Sequence, residues 1–193
     1  MASFNYTTRL PATQASNIIE VWEPEDFGPL NGNSRYDIDS AAKYVLKNSV
    51  VISNEFEIPE AGICQIVAEN RFLHQLTYVG LDTLLQMGGT RIQLLILDNL
   101  TLNTTTSGSE LFNLDGGNIG AFQFTNCSIS GSGSPNSGSI GVLDNFDRAN
   151  ISQVVFQNFA VGMELTNTNI NTLNGTFEND VDESIDPWIH IRS

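Results

Sequence analysis

Ile92-Gln93-Leu94-Leu95-Ile96-Leu97-Asp98-Asn99-Leu100-Thr101-Leu102 is an apolar run, then an Asn, then a short alternating stretch. Phe122-Gln123-Phe124-Thr125-Asn126-Cys127-Ser128-Ile129 has the same form, and so does Val154-Val155-Phe156-Gln157-Asn158-Phe159. Gly175-Thr176-Phe177-Glu178-Asn179 is a fainter fourth copy. Between the copies lie other short apolar segments, at 83–87, 110–114, 140–143 and 162–165, with Gly, Asn, Asp and Ser around them. Setting Asn99, Asn126, Asn158 and Asn179 in register gives steps of 27, 32 and 21 residues. Periods of this length mark stacked repeats. With two or three short strands per period and no helix, the pattern predicts an all-β fold. It is a right-handed single-stranded parallel β-helix, its rungs stacked ~4.8 Å apart.

The recurring Asn has a physical reason. A β-helix turns sharply between strands, and a buried turn leaves backbone groups unpaired. Asn tolerates the left-handed turn conformation and can hydrogen-bond to the coils above and below. Asn99, Asn126, Asn158 and Asn179 are therefore expected to form a structural ladder. Phe122, Phe124, Phe156, Phe159 and Phe177, with Leu97, Leu100 and Leu102, are expected to fill the interior. The longer steps place loops at 104–109 and 131–138, which are expected to face outward.

Composition agrees with this reading. The 193 residues suit one domain with a real core. Charged residues are only 16%, so Asn, Ser, Thr and Gly must solvate the surface, and these residues favour turns over helices. Lys plus Arg number 8 against 22 Asp plus Glu, a formal net charge of −14. Nucleic acid and anionic membranes need basic surface, so neither is expected as a partner. No segment approaches the ~20 apolar residues of a membrane span. The first residues lack a basic-then-apolar signal pattern, so secretion by the usual route is not expected. Asn-x-Ser/Thr triplets begin at Asn5, Asn99, Asn103, Asn126, Asn150 and Asn174, as chance allows in so Asn-rich a chain; without a signal they are not read as glycan sites. Cys64 and Cys127 form no CxxC pair and read as small buried thiols.

Residues 1–34 read as an N-terminal arm and 35–193 as the β-helix body. The arm holds one apolar cluster, Ile18-Ile19-Glu20-Val21-Trp22, then a connector rich in Pro and Gly. It is either a first strand and loop packed along the body or an anchor docking a larger assembly through Trp22 and Phe27. A short helix is expected at about 39–47. Asp39 or Ser40 would cap it, and Ala42, Val45 and Leu46 recur at i, i+3, i+4. Such a helix would cover the end of the stack. The final alternating strand carries Trp188 and stops without a polar cap, so either a neighbouring subunit covers it or it pairs with another part of the molecule, and an oligomer is expected.

Hydrolysis of a glycan needs two carboxyls ~5 to 9.5 Å apart across the scissile bond. Asp144 and Asp147 share a loop and are the candidate pair, but no aromatic platform lies near them in sequence. The expectation leans to a non-enzyme. Glu178, Asp180, Asp182, Glu183 and Asp186 match no calcium-loop spacing, and His74 and His190 stand alone, so no metal is expected. Gly116-Gly117-Asn118-Ile119-Gly120 lacks the Lys-Ser/Thr of a phosphate loop. No cofactor is expected.

At Leu97–Leu102, Leu111–Gly117 and Phe122–Ile129 the chain resembles short parallel β-helix virion proteins of tailed bacteriophages. The resemblance runs from about Tyr36 to Phe177 and is one of pattern. It implies a capsid decoration, head fibre or tail-spike piece, made in the host cytoplasm and carried on the virion. It also implies a homotrimer, with the major capsid protein or a tail component as partner. The alternative it leaves is a tail-spike or fibre module that binds or cleaves host surface polysaccharide.

Overall fold

The computed structural model describes residues 17–58, 62–87, 92–106, 109–132, 139–159, 161–178 and 189–192. These residues form a parallel β-solenoid of about five turns with three faces. The chain enters on β1 (Asn17–Val21) on face 1 and β2 (Tyr36–Asp37) on face 3. The next coil is β3 (Ala42–Leu46), β4 (Val50–Ile52) and β5 (Phe56–Ile58), on faces 1, 2 and 3 in turn. β6 (Gly62–Ala68), β7 (Gln75–Tyr78) and β8 (Thr83–Met87) repeat it. β9 (Ile92–Asp98) and β10 (Thr101–Thr104) lead into β11 (Glu110–Thr125), which runs along face 3 and rounds onto face 1. β12 (Ser128–Ser130) follows on face 2, and β13 (Ser139–Gln157) takes in faces 3, 1 and 2. β14 (Val161–Thr166), β15 (Ile170–Glu178) and β16 (Ile189–Arg192) make the last rungs described.

Register explains why the period is uneven. On face 1, Lys43, Gln65, Ile96, Gln123, Asn150 and Thr172 lie one above the other. The steps between them are 22, 31, 27, 27 and 22 residues, because corners and strands both vary in length from coil to coil. Corner 1 joins face 1 to face 2, corner 2 joins face 2 to face 3, and corner 3 returns to face 1.

Inward residues stack in columns. Val50, Leu76, Leu102, Ile129 and Phe156 form one on face 2, and Cys64, Leu95, Phe122 and Ala149 form one on face 1. All nine are at most 2% exposed. Phe122, Phe124, Phe156, Phe159, Leu97, Leu100 and Leu102 are buried, as the sequence predicts. Full burial of one such side chain stabilises by roughly 1.5–3 kcal/mol, so the lumen is the main source of stability. On face 3, Gly141 opposes Phe112 with φ +106, where a side chain would strike the Phe112 carbonyl. Both cysteines are free and buried, as expected. Burial pushes the Cys64 thiol up to about 12 and the Cys127 thiol up to about 11.

The helix expected at about 39–47 is a strand. Ala42, Tyr44 and Leu46 all point inward and are at most 1% exposed, a period of two. Apolar spacing in so short a run fits either period, and tertiary context decides it. β3 lies between β1 and β6, both parallel to it, and a helix could pair with neither.

The cap lies upstream, inside the segment predicted to be an arm. β1 is a rung of face 1, so residues 17–33 belong to the body rather than to a separate arm. A 3-10 helix, Pro24–Phe27, follows it, and residues 1–16 lie outside the described residues. Pro24 fits the first turn, and Asp26 accepts the backbone N–H groups of Trp22 (2.8 Å) and Glu23 (3.1 Å). This turn drives Phe27 into the mouth of the lumen. Its ring centroid lies 4.7 Å from Phe56, 5.4 Å from Tyr44 and 6.0 Å from Tyr36. An aromatic plug closes the stack where a helix had been expected to.

Candidate functional site

Corner 1 is the most ordered polar feature of the surface. Asn99 (φ 50), Asn126 (φ 54) and Gln153 (φ 57) occupy equivalent left-handed positions. Asn126 Nδ2 donates to Asn99 Oδ1 at 2.9 Å, and Asn99 Nδ2 donates to the Ala68 carbonyl at 2.9 Å. Their backbone N–H groups donate to Thr125 and Ser152, each at 3.0 Å. The residues that follow, Leu100, Cys127 and Val154, turn inward and are at most 1% exposed.

The predicted ladder is therefore in part misregistered. Asn158 belongs to corner 2: it follows Gln157, the face 2 partner of Ser130, and Gly131 donates its N–H to the Gln157 carbonyl. The true third rung is Gln153, which a repeated 27-residue step would have found. The error has a physical cause. Left-handed Asn occurs at all three corners, so Asn158 (φ 62) at corner 2 and Asn145 (φ 54) and Asn167 (φ 46) at corner 3 carry the same signal. Asn179 lies outside the described residues.

Asp144 belongs to corner 3. Its carboxylate accepts from Asn145 Nδ2 at 3.1 Å and Asn167 Nδ2 at 3.5 Å, and Asn145 also reaches Asp115 at 3.2 Å. Asp147 forms an ion pair with Arg148 at 3.3 Å without hydrogen-bond alignment. The two are separated by inward Phe146, and their neighbours are corner groups. Trp22 is 56% exposed at the first corner, whereas Phe27 is 1% exposed and unavailable to a partner. Its apolarity was legible; its direction was not. Trp188 lies outside the described residues. The loop at 104–109 is anchored inward: Thr104 and Ser109 are buried, their hydroxyls 2.7 Å apart. Among the described residues no group of three or more His, Cys, Asp or Glu could hold a metal, and no helix is long and apolar enough to cross a membrane.

The outer faces differ in chemistry. Face 3 carries Glu57, Glu110, Asp115, Asp144 and Glu164 at outward positions. Face 2 presents Gln75, Thr77, Thr101, Asn103, Ser128, Ser130 and Gln157, all uncharged. Among the described residues, recesses interrupt them, and two bear on the candidate site. One of about 450 Å³ on face 3 is lined by Arg35, Leu81, Asp82, Thr83, Gln86 and Glu110. Its polar groups largely satisfy one another: Arg35 pairs with Glu55 and Glu57 at 3.3 and 3.4 Å, and Thr83 Oγ1 donates to Glu110 at 2.9 Å.

The other, about 340 Å³, runs down corner 1 past Arg71, Asn126, Gln153, Asn174 and Thr176. Arg71 comes from the insertion between β6 and β7, a segment sequence reasoning passed over because it lies outside the repeat. Its Nη1 donates to the Asn126 carbonyl at 2.9 Å, two coils further along.

Fold and corners together define a parallel β-solenoid with an Asn-supported corner. No protein-family model, no curated protein and no solved structure matches this chain.

Proposed function

We propose that this chain is a structural protein of a tailed-phage virion: a homotrimer of short β-solenoids that decorates or stabilises the capsid. Its partner is the major capsid protein or a tail component. The observation that carries this reading is how the recurring polar residues are used. Asn99, Asn126, Asn145 and Asn167 with Asp115 and Asp144 bond to neighbouring coils, and Asp144 and Asp147 line neither recess described above. That suits a rigid building element better than a hydrolase, whose two carboxyls must be open to the glycan. The resemblance in sequence pattern to phage β-helix proteins supplies the virion.

The test is the copy number of the protein in purified virions relative to the major capsid protein. Hundreds of copies are expected of a decoration. A few tens would transfer it to the tail and favour the fibre-module alternative. None at all would overturn the virion reading. Trimerisation is tested separately by light scattering, where a monomer mass refutes it.

A further inference from the structure

We infer that the corner 1 groove is a binding site for a carboxylate-bearing sugar, with Arg71 as the anion-reading group and Phe72 as a stacking platform. Three observations carry this. First, Arg71, like Lys43, makes no ion pair among the described residues, whereas Arg35, Lys47 and Arg148 each do, and of the two Arg71 alone lines a recess. In a chain of net charge −14, a guanidinium in a recess whose lining holds no carboxylate is a local inversion of the field. One Nη1 contact to a carbonyl leaves the planar fork able to receive a carboxylate.

Second, the group is held in place. Asn70 Oδ1 accepts the Phe72 N–H at 3.0 Å, Thr101 Oγ1 donates to the Arg71 carbonyl at 2.7 Å, and Ser49 Oγ donates to the Leu73 carbonyl at 2.9 Å. Preorganisation of this kind lowers the cost of binding.

Third, the surroundings suit a pyranose. Phe72 stands beside the groove rather than in its lining: its ring lies 4.8 Å from the Arg71 guanidinium carbon, and the residue is 75% exposed. Gln153, Asn174 and Thr176 line the groove with amide and hydroxyl groups that complement sugar hydroxyls. At Gly175 the coils approach closely beneath the groove: a Cβ there would come 2.9 Å from the Val154 carbonyl. The site stands whether or not the chain is a virion component, so failure of the copy-number test leaves it intact.

The experiment is a two-dimensional ¹⁵N–¹H titration of the full chain with tetragalacturonate, with a neutral tetrasaccharide and acetate as controls. Saturable shifts are expected at Arg71 Nε and at the side-chain amides of Gln153 and Asn174, with none from the neutral sugar. Arg71→Gln is expected to weaken the response at least tenfold. Thr176→Val and Arg71→Lys, which leave the Asn70 turn in place, are expected to weaken it several-fold and keep the test valid if Arg71→Gln fails to fold. Absence of groove shifts with tetragalacturonate overturns the proposal. So does an equal response to the neutral sugar, or acetate reproducing the shifts at equal carboxylate concentration, which would leave a bare anion contact.

Discussion

Replacing Asn126 separates the two roles assigned to the corner 1 Asn. The first is conformational: at φ 54, an ordinary L-residue is strained by ~1–2 kcal/mol, and Asn is among the few that tolerate the position. The second is the bond from Asn126 Nδ2 to Asn99 Oδ1 at 2.9 Å, worth about 1 kcal/mol net. Asn126→Ala loses both, and ~2–3 kcal/mol of destabilisation is expected. Asn126→Gly keeps the backbone freedom and loses the bond, with an entropic cost of ~0.5–1 kcal/mol added, so about 1.5–2 is expected.

Asn126→Asp tests the donor alone. It tolerates the left-handed turn, but its carboxylate would face the Asn99 amide oxygen, acceptor against acceptor. Protonation restores a donor, which raises the folded-state pKa of the new Asp above its unfolded value of ~3.9, against the opposing pull of the Arg71 guanidinium that bonds the residue 126 carbonyl. A raised pKa stabilises the fold below the unfolded value, and that contribution is lost as pH rises through the folded one. The Asp variant should therefore approach the parent near pH 3 and fall away toward pH 7. Conversely, Gln153→Asn should stabilise by about 1 kcal/mol, by extending the ladder one coil at a position already left-handed. Urea titrations at fixed m-value measure all four. Equal loss in the Ala and Gly variants would refute the conformational term. A pH-independent deficit in Asn126→Asp would refute the donor.

Three further outcomes follow from the same geometry. Phe27→Ala should cost ~3–5 kcal/mol by emptying the lumen plug, while Trp22→Ala should stay within ~0.5; correspondingly, chains beginning at Asn17 should keep the thermal transition and chains beginning at Ser34 should lose several degrees or fail to fold. Cys64 is raised to about 12, so the stability it contributes is whole below pH ~9 and declines at ~1.4 kcal/mol per pH unit between pH 9 and 12; Cys64→Ala should flatten the alkaline limb of a stability–pH curve. Asp144→Ala should lower stability by ~1–2 kcal/mol through corner 3, and parent, Asp144→Asn and Asp147→Asn should alike release no reducing ends from host polysaccharide. Release by the parent that disappears in either variant would restore the hydrolase alternative.

What could be read from sequence divides along the axis of the solenoid. Interior positions repeat because each must fit the residue of the coil above, so Leu95 over Phe122 and Leu102 over Ile129 leave a periodic trace. That trace carried the parallel stack and the identity of the core. Corners leave an ambiguous trace, since three per coil make the same conformational demand; hence Asn158 was set beside Asn126 when Gln153 belonged there. The first coil leaves almost none. β1 and β3 read poorly because Ala42, Val45 and Leu46 fit a helix as well as a strand, and only pairing with β6 settles the choice.

The proposed binding site lies where periodicity is weakest. A parallel stack constrains the inward side chain of each rung and the corner it must turn, but places no such demand on the outward side chain, which needs only to be solvated. The outer faces differ accordingly, face 3 carrying carboxylates and face 2 neutral hydroxyls and amides. Copies of so acidic a chain that pack side by side meet least repulsion when face 3 is turned to solvent and the neutral or apolar faces meet. The Arg71 groove lies at the seam between faces 1 and 2, on an insertion that breaks the repeat. An insertion is the one element a solenoid can change without disturbing the rungs on either side, and this one carries the guanidinium of the groove, held to the Asn126 carbonyl and in no ion pair among the described residues.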